Sequence, residues 1–365
     1  MWLLLPVAGL VALLSALILT PLVRRMALAF GVLDHPSGRK IHRTAVPRLG
    51  GVAVFAAWLI AVIVVVVLQQ AFHVTLSARL WPLMWLAGLS VLFGFCDDVW
   101  DLPGPVKILS QIAVASLVFL AAARIDRLSN PFGGEFWFPV PVSYVVTVLW
   151  VIGMMNAMNL IDGLDGLATG IAGITAIGLI ASGSYTGSYT SMMMLAALAG
   201  ACLGFLRYNF HPAAIFLGDS GSQFLGFLFA VAALVGDQYK AATAASLLIP
   251  LTALMLPIYD TGLAFVRRLR GRRSVFRADK YHLHHRLLKM GLSHPQVVVV
   301  LYLVSLYLNC LAFLFVLIRE QYAIMLLAVL ALGLFMGMQT LRFIEYRLRQ
   351  VYRMRRARLR QLRAR

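Results

Sequence analysis

Four short runs of acidic, amide and imidazole residues interrupt an otherwise apolar chain, and each is suited to phosphate chemistry. The first is Asp97-Asp98 with Asp101. Asp97 and Asp101 stand at i, i+4, and Asp98 and Asp101 at i, i+3, so they share a face if a helix continues through them. Clustered carboxylates repel one another unless a cation sits among them, which suits a metal-linked or acid–base site. The turn-like Leu102-Pro103-Gly104-Pro105 leaves an ordinary acidic loop open for Asp101. The second run places Asn156, Asn159, Asp162 and Asp165 at a strict three-residue step. On a helix that step drifts about 60° per repeat, so the four cannot face one point. Gly163 and Gly166 predict a break that lets them converge from a loop. One polar residue can cap a helix end, but the run exceeds that need. Intramembrane Asn and Asp are costly and usually functional, and oxygen-only donors suit Mg²⁺ or Mn²⁺ rather than zinc.

The third run is Gly218-Asp219-Ser220-Gly221-Ser222. Its small residues let backbone approach phosphate, Ser220 and Ser222 can donate hydrogen bonds, and a following helix start favours anions. Asp219 is an N-cap or, beside the other clusters, a metal ligand. No Gly-Lys-Ser/Thr is present, so this is not a P-loop. The fourth run, Asp279-Lys280-Tyr281-His282-Leu283-His284-His285-Arg286, suits a diphosphate; zinc would need a further ligand nearby. Two basic features stay open between substrate contact and membrane flank: the loop of Arg39, Lys40, Arg43 and Arg48, and Lys107 with Gln111.

These runs need a scaffold, and composition names its class. Of 365 residues 61% are hydrophobic and 13% charged, against about 25% charged in soluble domains. A helical crossing takes roughly 20 apolar residues. Apolar runs near 1–23, 46–68, 80–96, 105–123, 140–158, 161–182, 187–206, 220–236, 242–266, 296–318 and 322–341 predict an all-α polytopic membrane protein of eleven spans. The first run precedes Arg24-Arg25 and lacks a basic leader, so it reads as an anchor with the N-terminus outside. With that orientation, 27 of the 32 Lys and Arg residues fall on the inner side, which places the C-terminus in the cytoplasm. The predicted layout is one transmembrane catalytic domain over 1–341, with cytoplasmic loops at 24–48, 97–107, 207–219 and 267–295, and a basic tail over 342–365. All four chemical runs reach the inner face. The net charge of +18 is mostly this orienting bias. The tail predicts an amphipathic helix on anionic lipid rather than a nucleic-acid binder. Cys96, Cys202 and Cys310 lie too far apart for a local metal or disulfide pattern.

Over about residues 30–295 the chain resembles the polyprenyl-phosphate N-acetylhexosamine-1-phosphate transferase superfamily. The resemblance rests on Asp-Asp-x-x-Asp at 97–101, Asn-x-x-Asn-x-x-Asp-Gly-x-Asp-Gly-Leu at 156–167, Gly-Asp-x-Gly-Ser at 218–222 and His-x-His-His at 282–285. Leu283 interrupts the histidines, which is similar to the bacterial branch using UDP-N-acetylglucosamine (UDP-GlcNAc). The branch using UDP-N-acetylmuramoyl-pentapeptide more often has three consecutive His; it and other UDP-N-acetylhexosamines are the alternative donors. The CDP-alcohol phosphotransferases expect Asp-Gly-x-x-Ala-Arg, and no such Arg follows Asp165-Gly166.

The resemblance implies that undecaprenyl phosphate attacks UDP-GlcNAc, giving lipid-linked GlcNAc diphosphate and UMP and initiating a cell-envelope polysaccharide. It implies Mg²⁺, with Mn²⁺ as substitute, held by Asp219 and Asn159. It places Asp97, Asp98, Asp162 and His282 in the catalytic set, with Asp97 a proposed base. Lys40, Lys107, Asn156, Asn159, Ser222, His284, His285 and Arg286 would contact substrates. A phosphate monoester has a second pKa near 6, so the lipid phosphate is largely dianionic at pH 7 and scarcely needs a base. The expected setting is a bacterial inner membrane with the site on its cytoplasmic face, and a homodimer is compatible with it. A transporter, the alternative of a different class, would carry polar residues at mid-membrane and on both faces, whereas these gather on one.

Overall fold

The apolar runs fold as helices. The computed structural model describes residues 2–34, 45–121, 123–129, 135–186, 189–235, 245–270 and 282–317, and most of 325–344. Its helices are α1 (Leu4–Ala29), α2 (Gly50–Leu68), α3 (Leu80–Trp100), α4 (Gly104–Leu120), α5 (Val140–Ile161), α6 (Leu167–Thr186), α7 (Tyr189–Asn209), α8 (Gly218–Val235), α9 (Ala245–Ala253), α10 (Met255–Arg270), α11 (Leu283–Lys289) and α12 (His294–Leu317). Two short antiparallel hairpins, β1 (Leu33–Asp34) with β2 (Val46–Pro47) and β3 (Arg127–Ser129) with β4 (Glu135–Trp137), complete it.

Eight helices (α1, α2, α3, α5, α6, α7, α8 and α12) are long and apolar enough to cross a membrane. The protein is a multi-pass membrane protein. The other expected spans take different forms among the described residues. Helix α4 has 17 residues, at the lower end of the length that crosses a bilayer core. The run expected at 242–266 is divided at Leu254 between α9 and α10, where Pro250 and Pro257 remove helical N–H donors. The run expected at 322–341 is described only in part.

Helices α7 and α8 form the centre. Helix α7 packs on α1 and α6, and α8 lies between α3 and α5. Small residues permit the closest approaches: Ala8, Ala12 and Ala16 are fully buried, and a Cβ at Gly200 would fall on the backbone of Gly9. Leu10, Leu14 and Ile18 of α1, and Leu303, Leu306 and Tyr307 of α12, are exposed outward, as a lipid-facing surface requires. Successive crossings reverse direction. The ends of α3, α5 and α7 and the starts of α4, α6, α8 and α12 therefore meet at one end of the bundle, and the described residues of every chemical run identified above sit there.

Candidate active site

The site is built around the start of α8. Gly50 N–H donates to Phe216 O (2.9 Å), Gly51 N–H to Leu217 O (2.7 Å) and Phe216 N–H to Pro47 O (2.8 Å). These bonds join the start of α2 to the approach to α8. Gly218 then turns the chain with φ of +76°. A helix start leaves its first N–H groups without partners, and here Asp98 reaches across from α3 to fill that gap. Asp219 N–H donates to Asp98 Oδ1 at 2.8 Å and Ser220 N–H to Oδ2 at 3.0 Å. A Cβ on Gly218 would lie 2.6 Å from Asp98 Oδ2, so position 218 needs glycine for both conformation and space. Gly218→Ala is expected to lower stability by at least about 1–2 kcal/mol, the cost of a left-handed alanine alone, read as a reduced unfolding midpoint in detergent. An unchanged midpoint would refute this packing.

Asp219 occupies the middle of the site. Its side chain is one-quarter exposed. Lys107 Nζ lies 3.6 Å from Asp219 Oδ2 and 2.6 Å from Asp97 Oδ2, so it bridges the two carboxylates. Asp97 itself is buried, and its Oδ1 accepts the Leu102 N–H at 3.0 Å. Asn159 Nδ2 donates to Asp219 Oδ1 and, at 2.9 Å, to Ser222 Oγ. Ser222 is fully buried and steadies Asn159. Asn156 spends its amide on Gln111 of α4 (2.6 Å) and on Ile152 O. Asp101 departs from the shared acidic face: α3 ends at Trp100, and Asp101 turns away with φ of +47° to meet Arg48 at 2.7 Å. Arg48 also donates to Asp98 O (3.2 Å) and meets Asp34 (3.4 Å).

After α5 the chain breaks as its glycines predict. Asp162 follows the last helical turn, and Gly166, with φ of +76°, leads into α6. Burial, with the charges of Asp219, Asp98 and Asp165, pushes the Asp162 carboxyl well above the usual carboxylate range. Asp165 Oδ2 accepts the Ala213 N–H (3.1 Å) and pairs with His211 Nδ1 (2.7 Å), while Asp165 N–H donates to His294 Nε2 (3.3 Å). The rings of His211 and His294 stack with centroids 4.2 Å apart.

The histidine run divides into three environments. His282 Nδ1 lies 3.0 Å from Asp260 Oδ2 of α10, and the Leu283 N–H donates to Asp260 Oδ1 at 2.9 Å. The ring of His284 packs on Gly163, where a Cβ would lie 2.5 Å from Nε2. Burial, reinforced by His285, drives the His284 pKa down to about 3. His284 is therefore neutral in the fold but protonates below about pH 6.5 once unfolded. Its contribution to stability is complete above pH 6.5 and falls as pH drops from 6.5 toward 3, by at most about 1.4 kcal/mol per unit. Unfolding midpoints of wild type and His284→Gln are expected to converge over that interval; parallel curves would refute it.

A cavity of about 400 Å³ opens here, lined by Asp98, Asn159, Asp162, Asp219 and His285 among the expected residues. Asp97, Lys107, Asn156, Ser222, His282, His284 and Arg286 do not line it. Lys40 lies outside the described residues. The wall also holds Asp165 of the second run, Arg48 of the basic loop and Phe216, together with Asp34, Asn209, His211 and His294, which lay outside the expected runs. The signal for His211 and His294 was present: both fall in inner loops by the charge count, yet neither belongs to a dense polar run.

The donor set suits a hard cation. Asp34, Asp98, Asp162, Asp165 and Asp219 line the cavity with Arg48, so carboxyl groups outnumber the guanidinium. Asp219 offers an exposed carboxylate, and turning the Asn159 amide by half a revolution replaces its nitrogen with oxygen. Asp165, His211 and His294 also bring ligand atoms within 4.8 Å of one another, but hydrogen bonds already join them.

Residues 80–237 match the family model described as glycosyl transferase family 4. Over 302 residues the chain is 38% identical to a Bacillus subtilis (strain 168) protein named "Probable undecaprenyl-phosphate N-acetylglucosaminyl 1-phosphate transferase", covering 82% of this chain and 81% of that one. It is 35% identical over 320 residues to the decaprenyl-phosphate N-acetylglucosaminephosphotransferase of Mycobacterium tuberculosis (strain ATCC 25618 / H37Rv), covering 82% and 79%. To the undecaprenyl-phosphate alpha-N-acetylglucosaminyl 1-phosphate transferase of Yersinia pestis it is 30% identical over 290 residues, covering 77% and 76%. With a carboxylate-rich cavity at the shared end of its helices and relatives of this kind along most of its length, the chain belongs to the polyprenyl-phosphate N-acetylhexosamine-1-phosphate transferase superfamily, in its undecaprenyl-phosphate N-acetylglucosamine branch.

Proposed function

We propose that the protein transfers GlcNAc-1-phosphate from UDP-GlcNAc to undecaprenyl phosphate, releasing UMP and initiating a cell-envelope polysaccharide. The observation that carries this reading is Asp219, exposed at the cavity's centre and framed by Lys107 and Asn159. An oxygen of the lipid phosphate bonds to the sugar-linked phosphorus of the donor. The anhydride bond to the second phosphorus breaks, and UMP leaves with the electron pair. The attacking dianion forms by itself at pH 7. Asp97, tied to Lys107 and the Leu102 N–H, therefore positions Lys107 rather than removing a proton. Lys107 balances charge beside Asp219, and Arg48 and His285 face the cavity that receives the diphosphate. Asp98 holds the start of α8 in place. Asp219 and Asn159 would hold Mg²⁺ or Mn²⁺, with Asp162 beside them; such an ion supplies charge neutralisation at the transferring phosphoryl group.

The eleven apolar runs, with a charge asymmetry that supports an odd number of crossings, favour the N-terminus outside, the C-terminus inside and the site on the cytoplasmic face of a bacterial inner membrane. The charge asymmetry also supports a basic tail on anionic lipid. A homodimer would suit this arrangement.

Purified protein with Mg²⁺, undecaprenyl phosphate and labelled UDP-GlcNAc is expected to yield UMP and a labelled lipid. EDTA is expected to stop both, and added Mg²⁺ or Mn²⁺ to restore them. A panel of UDP-sugars in the same assay identifies the donor. Release of no UMP from any UDP-N-acetylhexosamine would reject the reading.

A further inference from the structure

The three histidines at 282–285 differ in what they touch, and the difference traces to a carboxylate in an apolar helix. Asp260 and His282 are both buried, with 4% and 5% of their surface exposed. One Asp260 oxygen meets the His282 ring and the other accepts the Leu283 N–H. The carboxylate thus holds a side chain and the adjoining backbone together. The backbone bond also satisfies an N–H at the start of α11, a seven-residue helix. One residue on, His284 is buried against Gly163, which ties α11 to the loop carrying Asp162 and Asp165. Of the three rings, only that of His285 lines the cavity.

We propose that Asp260 is a positioning residue: by gripping His282 and Leu283 it sets the register of α11, so that His285 alone of the three histidines contacts the donor's diphosphate. This rests on the cavity being the donor site. Asp260 acts at a distance, through the placement of His285. Displacing a substrate-positioning group by about 1 Å costs on the order of 10²-fold in rate.

Two measurements on full-length protein test this. The first is kcat/KM for UDP-GlcNAc in Asp260→Ala, His285→Ala and the double variant. Each single change is expected to lower it by about 10–10²-fold. The double variant is expected to be no worse than His285→Ala, because both remove one contact. Asp260→Asn, which keeps an acceptor for the Leu283 N–H, is expected to fall between wild type and Asp260→Ala. Losses that multiply would overturn the proposal and make Asp260 a general support of the fold. The second is carbethoxylation of the histidines by diethyl pyrocarbonate, read by mass spectrometry and independent of turnover. In wild type His285 is expected to react and to be protected by UDP-GlcNAc, whereas His282 and His284 stay unmodified; in Asp260→Ala, His282 is expected to become reactive. Equal labelling of His282 and His285 in wild type, or no change at His282 in the variant, would refute the grip. Absence of UMP from wild type would reject the transferase reading, and the footprint would still decide the role of Asp260.

Discussion

Asp219→Ala is expected to abolish UMP release while leaving the unfolding midpoint near that of wild type. The separation follows from what Asp219 touches. Lys107 keeps its closer partner, Asp97, at 2.6 Å, and Asn159 keeps Ser222 at 2.9 Å, so no buried group loses its last partner. What disappears is the one exposed carboxylate aimed between Lys107 and Asn159. Removing a dedicated electrostatic group from a site of this kind costs on the order of 10²–10³-fold, and a lost cation ligand should reach or exceed the top of that range. Asp219→Asn keeps the shape but not the charge and is expected to be nearly as poor. Steady-state UMP release and a thermal melt in the same detergent decide the matter. Near-normal turnover in Asp219→Ala would end the assignment of Asp219 as cation ligand.

The second large effect concerns Lys107, and here stability and turnover fall together. Lys107→Met strands Asp97, whose side chain is 1% exposed, without its cation. Because Lys107 is itself one-third exposed, the cost is expected to fall below the roughly 3–5 kcal/mol of a fully buried pair. Adding Asp97→Asn removes the stranded charge and is expected to restore most of the melting temperature. Activity is not expected to return, because the positive charge beside Asp219 is still missing. Recovery of both properties in the double variant would reduce Lys107 to a scaffold residue; recovery of neither would show that Asp97 is needed beyond pairing with it.

Much of this arrangement was legible from residue type and side. Sorting basic residues by membrane face gathered the acidic, amide and imidazole runs at one end, where the helix termini meet. The three-residue step of Asn156 to Asp165 correctly demanded a break, and the break follows Ile161. Two kinds of information were not legible. One is pairing across long separations: Asp98 meets backbone groups 121 and 122 residues away, and no local pattern encodes a carboxylate that caps another helix. The other is which member of a polar run faces the cavity. Ser222 and Asn156 resemble ligands in sequence, yet both spend their hydrogen bonds on neighbours. Asp260 stands alone in an apolar stretch, and its partner His282 lies 22 residues further along the chain. An apolar run also hides its interruptions: the one at 242–266 divides at Leu254, with Pro250 and Pro257 on either side.

The bond from Asp98 to the start of α8 also bears on how the protein is made. Ribosomes deliver Asp97 and Asp98 first, Lys107 shortly afterwards, and the amides of Asp219 and Ser220 more than a hundred residues later. A carboxylate drawn into the bilayer without partners is costly. During synthesis the end of α3 must therefore remain at the aqueous boundary, with Lys107 as its early companion, until α8 arrives. Biogenesis thus has an order written into it: the helices on either side can be inserted one by one, but the acidic pair leaves water only when the eighth helix closes over it. A chain halted before residue 218 would keep Asp98 hydrated, because the Asp219 and Ser220 amides that it accepts in the fold would not yet exist.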